Sequence, residues 1–207
     1  MGQFTSYIIG YSSSRVVAGK HSASTPGAIT GRCRYNTDLS QYTYPSPLDG
    51  YKNLEPIPDT KNADKSYVNP QTGILSDAYQ RFVDPISNHG PLPGFDIHIY
   101  FNPDDQEQTK FAQELWERIR REFPELRIYR LWYEPCGPHA TGMFEVNLFT
   151  PAQFGAFVGW LVINRGPLSA LVHPNTNDEL RDHIQRYMWM GPEIPLNMTV
   201  FKLRGDA

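Results

Sequence analysis

Strand-like and helix-like hydrophobic patterns alternate from Phe95 onward, and this alternation restricts the fold more than any other feature of the chain. The segment FDIHIYF alternates apolar and polar side chains with the period of two that is typical of a β-strand. The following residues carry apolar side chains four positions apart, from Phe111 to Phe123, which predicts an amphipathic helix that Asn102 caps and Pro124 ends. Two further strands, LRIYRLWYE and GMFEVNLF, then a second helix and a fourth strand, LSALVH, complete the pattern.

This order, β-α-β-β-α-β, predicts a ferredoxin-like α+β fold in which both helices cover one face of an antiparallel sheet. In that arrangement the first strand lies between the third and the fourth. An additional helix from Asp178 to Met190 and a last strand, NMTVFKL, are expected to flank the sheet. The other sheet face has no predicted cover, and because exposed antiparallel faces commonly pair, we expect a homodimer.

The composition changes near Gly94. Every serine except Ser169 precedes Gly94, whereas all four tryptophans follow it. Residues 1–94 show no sustained period, and turn-forming clusters such as YPSPLDGY and LEPIPDT interrupt them. The sequence therefore predicts an irregular arm, 1–94, before a ferredoxin-like domain, 95–207. The many tyrosines of the arm favour packing over the domain or over a partner subunit, since disordered segments are poor in aromatic residues.

The overall charge and the apolar segments exclude several classes of protein. The chain has 207 residues and a net charge of -3, and its basic residues form no stripe, so we expect a small-molecule partner and no nucleic acid. No segment reaches the roughly 18 apolar residues of a membrane span, and the first residues do not resemble a secretory signal. Two isolated cysteines, Cys33 and Cys136, form no disulfide framework. We therefore expect a cytoplasmic protein that does not contact membranes.

Four of the six histidines lie in the predicted domain: His98 in the first strand, His139 before the third, His173 at the end of the fourth and His183 in the last helix. The first three belong to neighbouring strands and could converge. Strand alternation also places Asp96, Tyr100 and Glu145 on the sheet face that the helices leave open. Three neutral imidazoles, or two with a carboxylate, suit Fe(II), Zn or another first-row metal.

Each of these residues also has an ordinary structural explanation. An isolated strand histidine usually lies at the surface or makes satisfied hydrogen bonds in a core. His183 lies on a half-apolar helix face, where a hydrogen-bonded buried histidine is common, and Glu145 could be a solvated residue on the polar side of its strand. Spacing alone therefore leaves metal binding open.

The segments FDIHIYF, CGPHATGMFEV, LVHPNT and LRDHIQRYMWMG, in this order, resemble the signature segments of the DOPA 4,5-dioxygenase family. The resemblance covers about residues 95–192. It implies a ferredoxin-like fold, often dimeric, and extradiol cleavage of a catechol such as 3,4-dihydroxyphenylalanine by O2 at a non-haem Fe(II) ion, with Zn possible in purified protein. Many members carry H-x-H in the first segment, whereas this chain has Asp96 at the first of the two positions, so Asp96 either replaces a ligand or is none.

The resemblance implies a role for each histidine. It assigns His98, His139 and His173 as metal ligands and His183 as the acid or base. Tyr100 shares the strand face of His98 and is expected to donate a hydrogen bond to substrate or oxygen. The carboxylate of an amino-acid substrate would need a cation, for which the sequence offers Arg130, Arg165, Arg181 and Arg186.

Two other functions fit the same sequence. One is a metal-free monooxygenase of the ferredoxin-like fold, in which His98 and His139 transfer protons. The other is a non-catalytic dimeric binding domain that uses the open sheet face as its interface.

Overall fold

The computed structural model describes residues 42–202. A short 3-10 helix, Asp77–Tyr79, precedes the regular elements. These elements are β1 Phe95–Phe101, α1 Gln106–Glu122, β2 Arg127–Ile128, β3 Gly142–Leu148, α2 Pro151–Asn164, β4 Ser169–Pro174, α3 Glu179–Ile184, β5 Met188–Met190 and α4 Thr199–Lys202. The predicted α+β class and the order β-α-β-β-α-β are confirmed.

The five strands form one antiparallel sheet in the order β2-β3-β1-β4-β5. β1 lies between β3 and β4, as predicted, and His98 at its centre pairs with Glu145 on one side and with Leu171 on the other. Successive side chains of β1 therefore alternate between a face against the helices and a face that carries the histidine.

The main core lies between the sheet and helices α1 and α2. Ile97 and Ile99 of β1 are fully buried there, together with Leu115 of α1 and Phe157 of α2. The apolar face predicted for α1 is confirmed, and α2 also turns an apolar face to the sheet, whereas its Val162 is 54% exposed. The position of that residue on α2 turns it away from the sheet.

Thr150 caps the second helix, because its hydroxyl accepts a hydrogen bond from the N–H of Gln153. The cap of the first helix was wrongly predicted. Asp105 accepts hydrogen bonds from two N–H groups of the first turn of α1, whereas Asn102 accepts one from Asp104 in the preceding turn. The carboxylate of Asp105 is also the better partner for the positive end of a helix.

The elements after β4 differ from the sequence prediction. The helix predicted from Asp178 to Met190 ends at Ile184, and residues 188–190 instead form β5 along the free edge of β4. The unpaired N–H and C=O groups of that edge need partners, which outweighs the local helical pattern. The predicted last strand NMTVFKL is wrong as well. Residues 199–202 are helical, and the Asn197 side chain accepts a hydrogen bond from the N–H of Thr199 at their start.

The predicted second strand is shorter than LRIYRLWYE, because only two of its residues form β2. The chain then leaves the ladder and returns to β3 at a bridge between Trp132 and Met143. The loop that follows carries His139.

The sheet face opposite the helices is not open, contrary to expectation. Tyr100, Met143 and Leu171 are buried there in a second apolar cluster, under Trp132, Trp189 and other side chains of the loop before β3 and of the C-terminal segment. The histidines lie beside this cluster, in a space that the chain itself encloses.

The last part of the arm is attached to the domain. Phe82 is buried and its ring meets the ring of Phe95 edge to face, with centroids 5.2 Å apart. Backbone hydrogen bonds connect Ser87 with Asn175, and Gly94 with both. A domain boundary at Gly94 stays a prediction. Residues 1–41 of the arm, with Cys33, lie outside the described residues. Among residues 42–202 no helix combines the length and apolarity that crossing a membrane requires.

We predict that Gly94→Ala destabilises the protein by about 3 kcal/mol. Gly94 has a φ of 74°, and a Cβ atom there would lie 2.0 Å from the carbonyl oxygen of Leu148. Gly90→Ala is the matched control, because Gly90 also has a positive φ, 93°, but has no atom within 4 Å of an added Cβ. Urea unfolding of both variants measures the difference, and equal losses of stability would contradict the packing argument.

Candidate metal centre

The four histidines of the domain come together on the sheet face opposite α1 and α2. The ring centroids of His98 and His139 lie 4.0 Å apart, and those of His173 and His183 are equally close at 4.0 Å. His98 and His173 join the two pairs, with centroids 5.1 Å apart. The structure therefore places all the histidines that the sequence singled out in one cluster.

The sheet positions two of these rings directly. His98 lies at the centre of β1, and His173 of β4 pairs with Asp96, so their side chains leave the same face from adjacent strands. The Nε2 atoms of the two rings are 3.0 Å apart. Nitrogen atoms at this distance need a proton or a cation between them, because two lone pairs repel each other.

The other two rings come from outside the central strands. His139 lies in the loop before β3, where its backbone forms two hydrogen bonds with Cys136. His183 lies in α3, and the buried Asp182 attaches that helix to the loop after β4 by accepting hydrogen bonds from the N–H and hydroxyl of Thr176. Arg186 donates to the same carboxylate and hydroxyl.

The hydrogen bonds of the Nδ1 atoms determine which nitrogen carries a lone pair. His173 Nδ1 lies 3.0 Å from the carbonyl oxygen of Pro174, and His183 Nδ1 lies 2.7 Å from that of Glu179. A carbonyl only accepts, so each Nδ1 carries the proton and each Nε2 carries the lone pair. Metal-binding histidines usually have this arrangement, with the second nitrogen donating to a carbonyl.

His98 has no such partner. Its Nδ1 atom is buried without a hydrogen bond to any described residue, and the nearest carboxylate oxygen, of Glu145, is 3.8 Å away. A buried unpartnered nitrogen is costly, and each such atom in a native protein needs an explanation. A group bound among the rings would supply one.

Burial keeps the imidazoles neutral. Desolvation lowers the pKa of His139 from 6.5 to about 3, and those of His173 and His183 to about 4. The pKa of His98 is lowered well below its usual value, first by burial and then by the neighbouring His139. At neutral pH the cluster therefore presents neutral rings, the form that binds metal ions.

A carboxylate and amide network borders the rings. The Asn147 side-chain amide donates hydrogen bonds to Asp96 and to Glu145, the latter over 2.7 Å. Burial raises the pKa of both carboxyl groups, and the neighbouring Asp96 raises that of Glu145 further. Asp96 thus lies within the site.

Two sets of donor atoms have distances that suit one metal ion. The donors of His98, His139 and His183 lie within 4.8 Å of one another, and so do those of Asp96, His98 and His173. Ligand atoms about 2.1 Å from a common ion have separations of this order. The cluster is able to hold a metal ion, and His98 belongs to both sets.

Tyr100 lies against the cluster on its apolar side. Its hydroxyl is 2.7 Å from His139 Nδ1, and burial raises its pKa above the usual 10.0. The tyrosine therefore keeps its proton at neutral pH, and it is placed to fix the orientation of the His139 ring.

Sequence reasoning missed two residues of this site, Asn147 and Arg127. Asn147 could have been found, because it lies two residues after Glu145 and therefore on the same polar side of β3. Arg127 could not be distinguished from the other arginines without the register of β2, which places it opposite Asn147. The Nε atom of Arg127 donates a hydrogen bond to the Asn147 carbonyl oxygen.

The four arginines that the sequence offered as substrate-binding cations have other partners. Arg165 donates to the carbonyl oxygen of Leu168, Arg181 to the side chain of Gln185 and Arg186 to Asp182. Arg130 is exposed and lies over the ring of Trp132.

Known proteins resemble the part of the chain that forms this site. The model of the Dopa 4,5-dioxygenase family matches residues 95–200, which include all four histidines and Arg127. An uncharacterized 21.2 kDa protein of Botryotinia fuckeliana is 60% identical over 173 residues, which are 80% of this chain and 94% of that protein. A DOPA 4,5-dioxygenase of Amanita muscaria is 37% identical over 116 residues, 53% of this chain and 50% of that enzyme.

A solved structure shares the fold. The crystal structure of a Nostoc punctiforme protein described as a candidate dioxygenase superposes with a TM-score of 0.50 and 32% identity, over 58% of this chain and 95% of the other. The resemblance drawn from the signature segments is confirmed by the family match, which indicates an oxygenase that uses O2 and a small-molecule substrate. The chain belongs to the Dopa 4,5-dioxygenase family.

Proposed function

We propose that the chain is an extradiol dioxygenase that cleaves the ring of a catechol, such as 3,4-dihydroxyphenylalanine, at a non-haem Fe(II) ion. The observation that carries this proposal is the buried cluster of four neutral imidazoles in the segment that matches the family model. The Amanita muscaria relative is by name a DOPA 4,5-dioxygenase, which supports the substrate class.

The proposed ligands are those that the resemblance assigns, His98, His139 and His173; His139 and His173 each share a donor set with His98, and neither set joins these two to each other. His98 belongs to both sets of donor atoms, and its Nε2 faces that of His173 at 3.0 Å, a separation that an ion shared by the two nitrogens explains. Three imidazoles suit Fe(II), and Zn could replace it during purification. When bound, the metal supplies the electron transfer between catechol and O2 that ring cleavage requires.

His183 is the proposed acid or base. It is less buried than His173, and its protonated Nδ1 donates to a carbonyl, which leaves the Nε2 lone pair available for a catechol proton. His183 also has a donor atom within 4.8 Å of His98 and His139, so it is the alternative third ligand.

Tyr100 is the proposed hydrogen-bond donor toward the reacting oxygens. Its raised pKa keeps the hydroxyl protonated, and its contact with His139 places it beside the ligands. In the overall reaction the ring bond beside the diol breaks and both atoms of O2 enter the product, a yellow muconic semialdehyde.

A homodimer and a cytoplasmic location belong to the same proposal. The described arm carries large apolar side chains at the surface, such as Leu54 and Ile74, which a second subunit would cover. Cys136 is a free thiol, which fits a reducing compartment that also keeps iron as Fe(II).

Single substitutions are expected to separate ligands from the acid or base. His98→Ala and His173→Ala should lower Fe(II) affinity by more than the roughly 100-fold that loss of an outer-shell partner costs, because each removes a ligand. His183→Ala should retain the metal and lose most turnover. The exposed His89 provides the control, His89→Ala. Metal titration and elemental analysis measure the affinities. If His183→Ala loses the metal and His173→Ala retains it, His183 is the third ligand and His173 is not.

Turnover has a direct optical test. L-DOPA added to the Fe(II)-loaded protein in air should yield a yellow product and consume one O2 per substrate, and a chelator should abolish both signals. Full activity of a preparation that elemental analysis finds metal-free would favour the monooxygenase instead. Absence of reaction with several catechols would exclude the dioxygenase.

The stability of the metal-free protein should depend on pH in the acid range. In the folded state the pKa values of the imidazoles lie below the unfolded value of 6.5, so the folded state binds fewer protons than the unfolded state. The stabilisation is complete above pH 6.5 and is lost as the pH falls toward about 4, by about 2 kcal/mol per buried imidazole at pH 5. Urea unfolding at pH 7.5 and 5 measures it. His183→Gln should reduce the dependence and His89→Gln should not, whereas equal stability at both pH values would refute the argument.

A further inference from the structure

One cationic side chain on the histidine face has a nitrogen without a partner. Arg127 lies in β2 opposite Asn147, and the next residue, Ile128, packs against the main core, so Arg127 projects to the side of the histidines. Its Nε atom donates to the Asn147 carbonyl oxygen, and its Nη2 atom is buried without a hydrogen bond to any residue of the range 42–202.

Two aromatic rings fix the position of this guanidinium. Its central carbon lies 4.7 Å from the centroid of Phe149 and 5.6 Å from that of Tyr129. A guanidinium held between rings loses little further conformational entropy when it binds an anion, because it is already oriented.

No carboxylate of the described residues lies within 4.0 Å of Arg127. Asn147 separates it from Asp96 and Glu145, since the amide nitrogen donates to both carboxylates while the amide oxygen faces Arg127. The positive charge of Arg127 still lowers the pKa of both carboxyl groups across Asn147, but its Nη2 atom makes no hydrogen bond, and a buried donor without a partner is unfavourable. A carboxylate ligand would complete its hydrogen bonds with the forked geometry that arginine prefers.

The distance from Arg127 to the imidazoles suits a substrate that reaches both. Arg127 is two strands from His98 across the sheet and two residues along it. Strand spacings of about 4.8 Å and rises of about 3.4 Å per residue place the two backbones about 12 Å apart. A catechol that carries an acid side chain has its diol and its carboxylate at opposite ends, so it could reach from one residue to the other.

We infer that Arg127 binds the carboxylate of a catechol that carries an acid side chain, and so determines specificity for amino-acid-derived or phenylpropionate-type catechols. The inference rests on the proposed function, because it takes the catechol oxygens to lie at the histidine cluster. The carboxylate then lies beyond Asn147, between the rings that hold the guanidinium.

Three substrates that differ in one group test this inference. L-DOPA has a carboxylate and an amine, dopamine lacks the carboxylate, and 3-(3,4-dihydroxyphenyl)propionate lacks the amine. Binding to the full-length Fe(II) protein is measured by calorimetry without oxygen, and kcat/KM is measured in air. Arg127→Met should weaken binding and kcat/KM for both acids by about 10- to 100-fold more than for dopamine, because only the acids lose a contact with the guanidinium. Arg127→Lys should recover part of the loss.

Arg130→Met is the matched control, because Arg130 is an exposed arginine of the same segment and should leave all three substrates unaffected. Equal losses for dopamine and the acids in Arg127→Met would show that Arg127 only maintains the carboxylate network, and no loss for any would also overturn the inference. If the wild type binds L-DOPA without cleaving it, ring cleavage fails as a function while the affinities still decide the role of Arg127. If the wild type binds none of the three, both proposals fail.

Discussion

The structure depends on the pairing of β1 with a strand on each side. A shift of one residue in either ladder would turn His98 toward the helices and Ile97 and Ile99 toward the site, because side chains alternate strictly between the two faces of a sheet. The two isoleucines are fully buried in the main core, so such a shift would remove both from it and leave polar side chains against the helices. The free energy of core packing therefore holds the imidazole of His98 in its place, although that imidazole contributes nothing to the core.

The same pairing explains which features of the fold and site could be read from the sequence. The elements from β1 to β4 follow their hydrophobic periods closely, and the polar positions of β1 and β3 identified Asp96, His98 and Glu145 as neighbours on one face. The sequence also predicted that His139 and His173 lie near His98, because the β-α-β-β-α-β topology places the first strand between the third and the fourth. These predictions required only local patterns and one topological rule.

The remaining features depend on long-range partners that no local pattern encodes. Residues 188–190 have a helical pattern and became a strand because the edge of β4 lacked hydrogen-bond partners. Arg127 resembled any other surface arginine until the register of β2 placed it opposite Asn147. The prediction of an open sheet face was wrong for a related reason. The C-terminal segment folds back over Tyr100 and Leu171 and encloses the site.

The electrostatics of the site are compatible with a bound divalent cation. Burial raises the pKa of Asp96 and Glu145 and lowers those of the histidines, so both kinds of group are driven toward their neutral forms. Protons alone cannot prepare both the carboxyl groups and the imidazoles to bind a ligand. A pH low enough to keep the carboxyl groups protonated also protonates the imidazoles, which then lose their lone pairs. A divalent cation favours the form of each group that can act as a ligand, because it stabilises ionised carboxylates and binds unprotonated imidazole nitrogens. The groups around His98 are therefore able to hold a cation, and the role proposed for Arg127, which Asn147 separates from them, is to bind an anion.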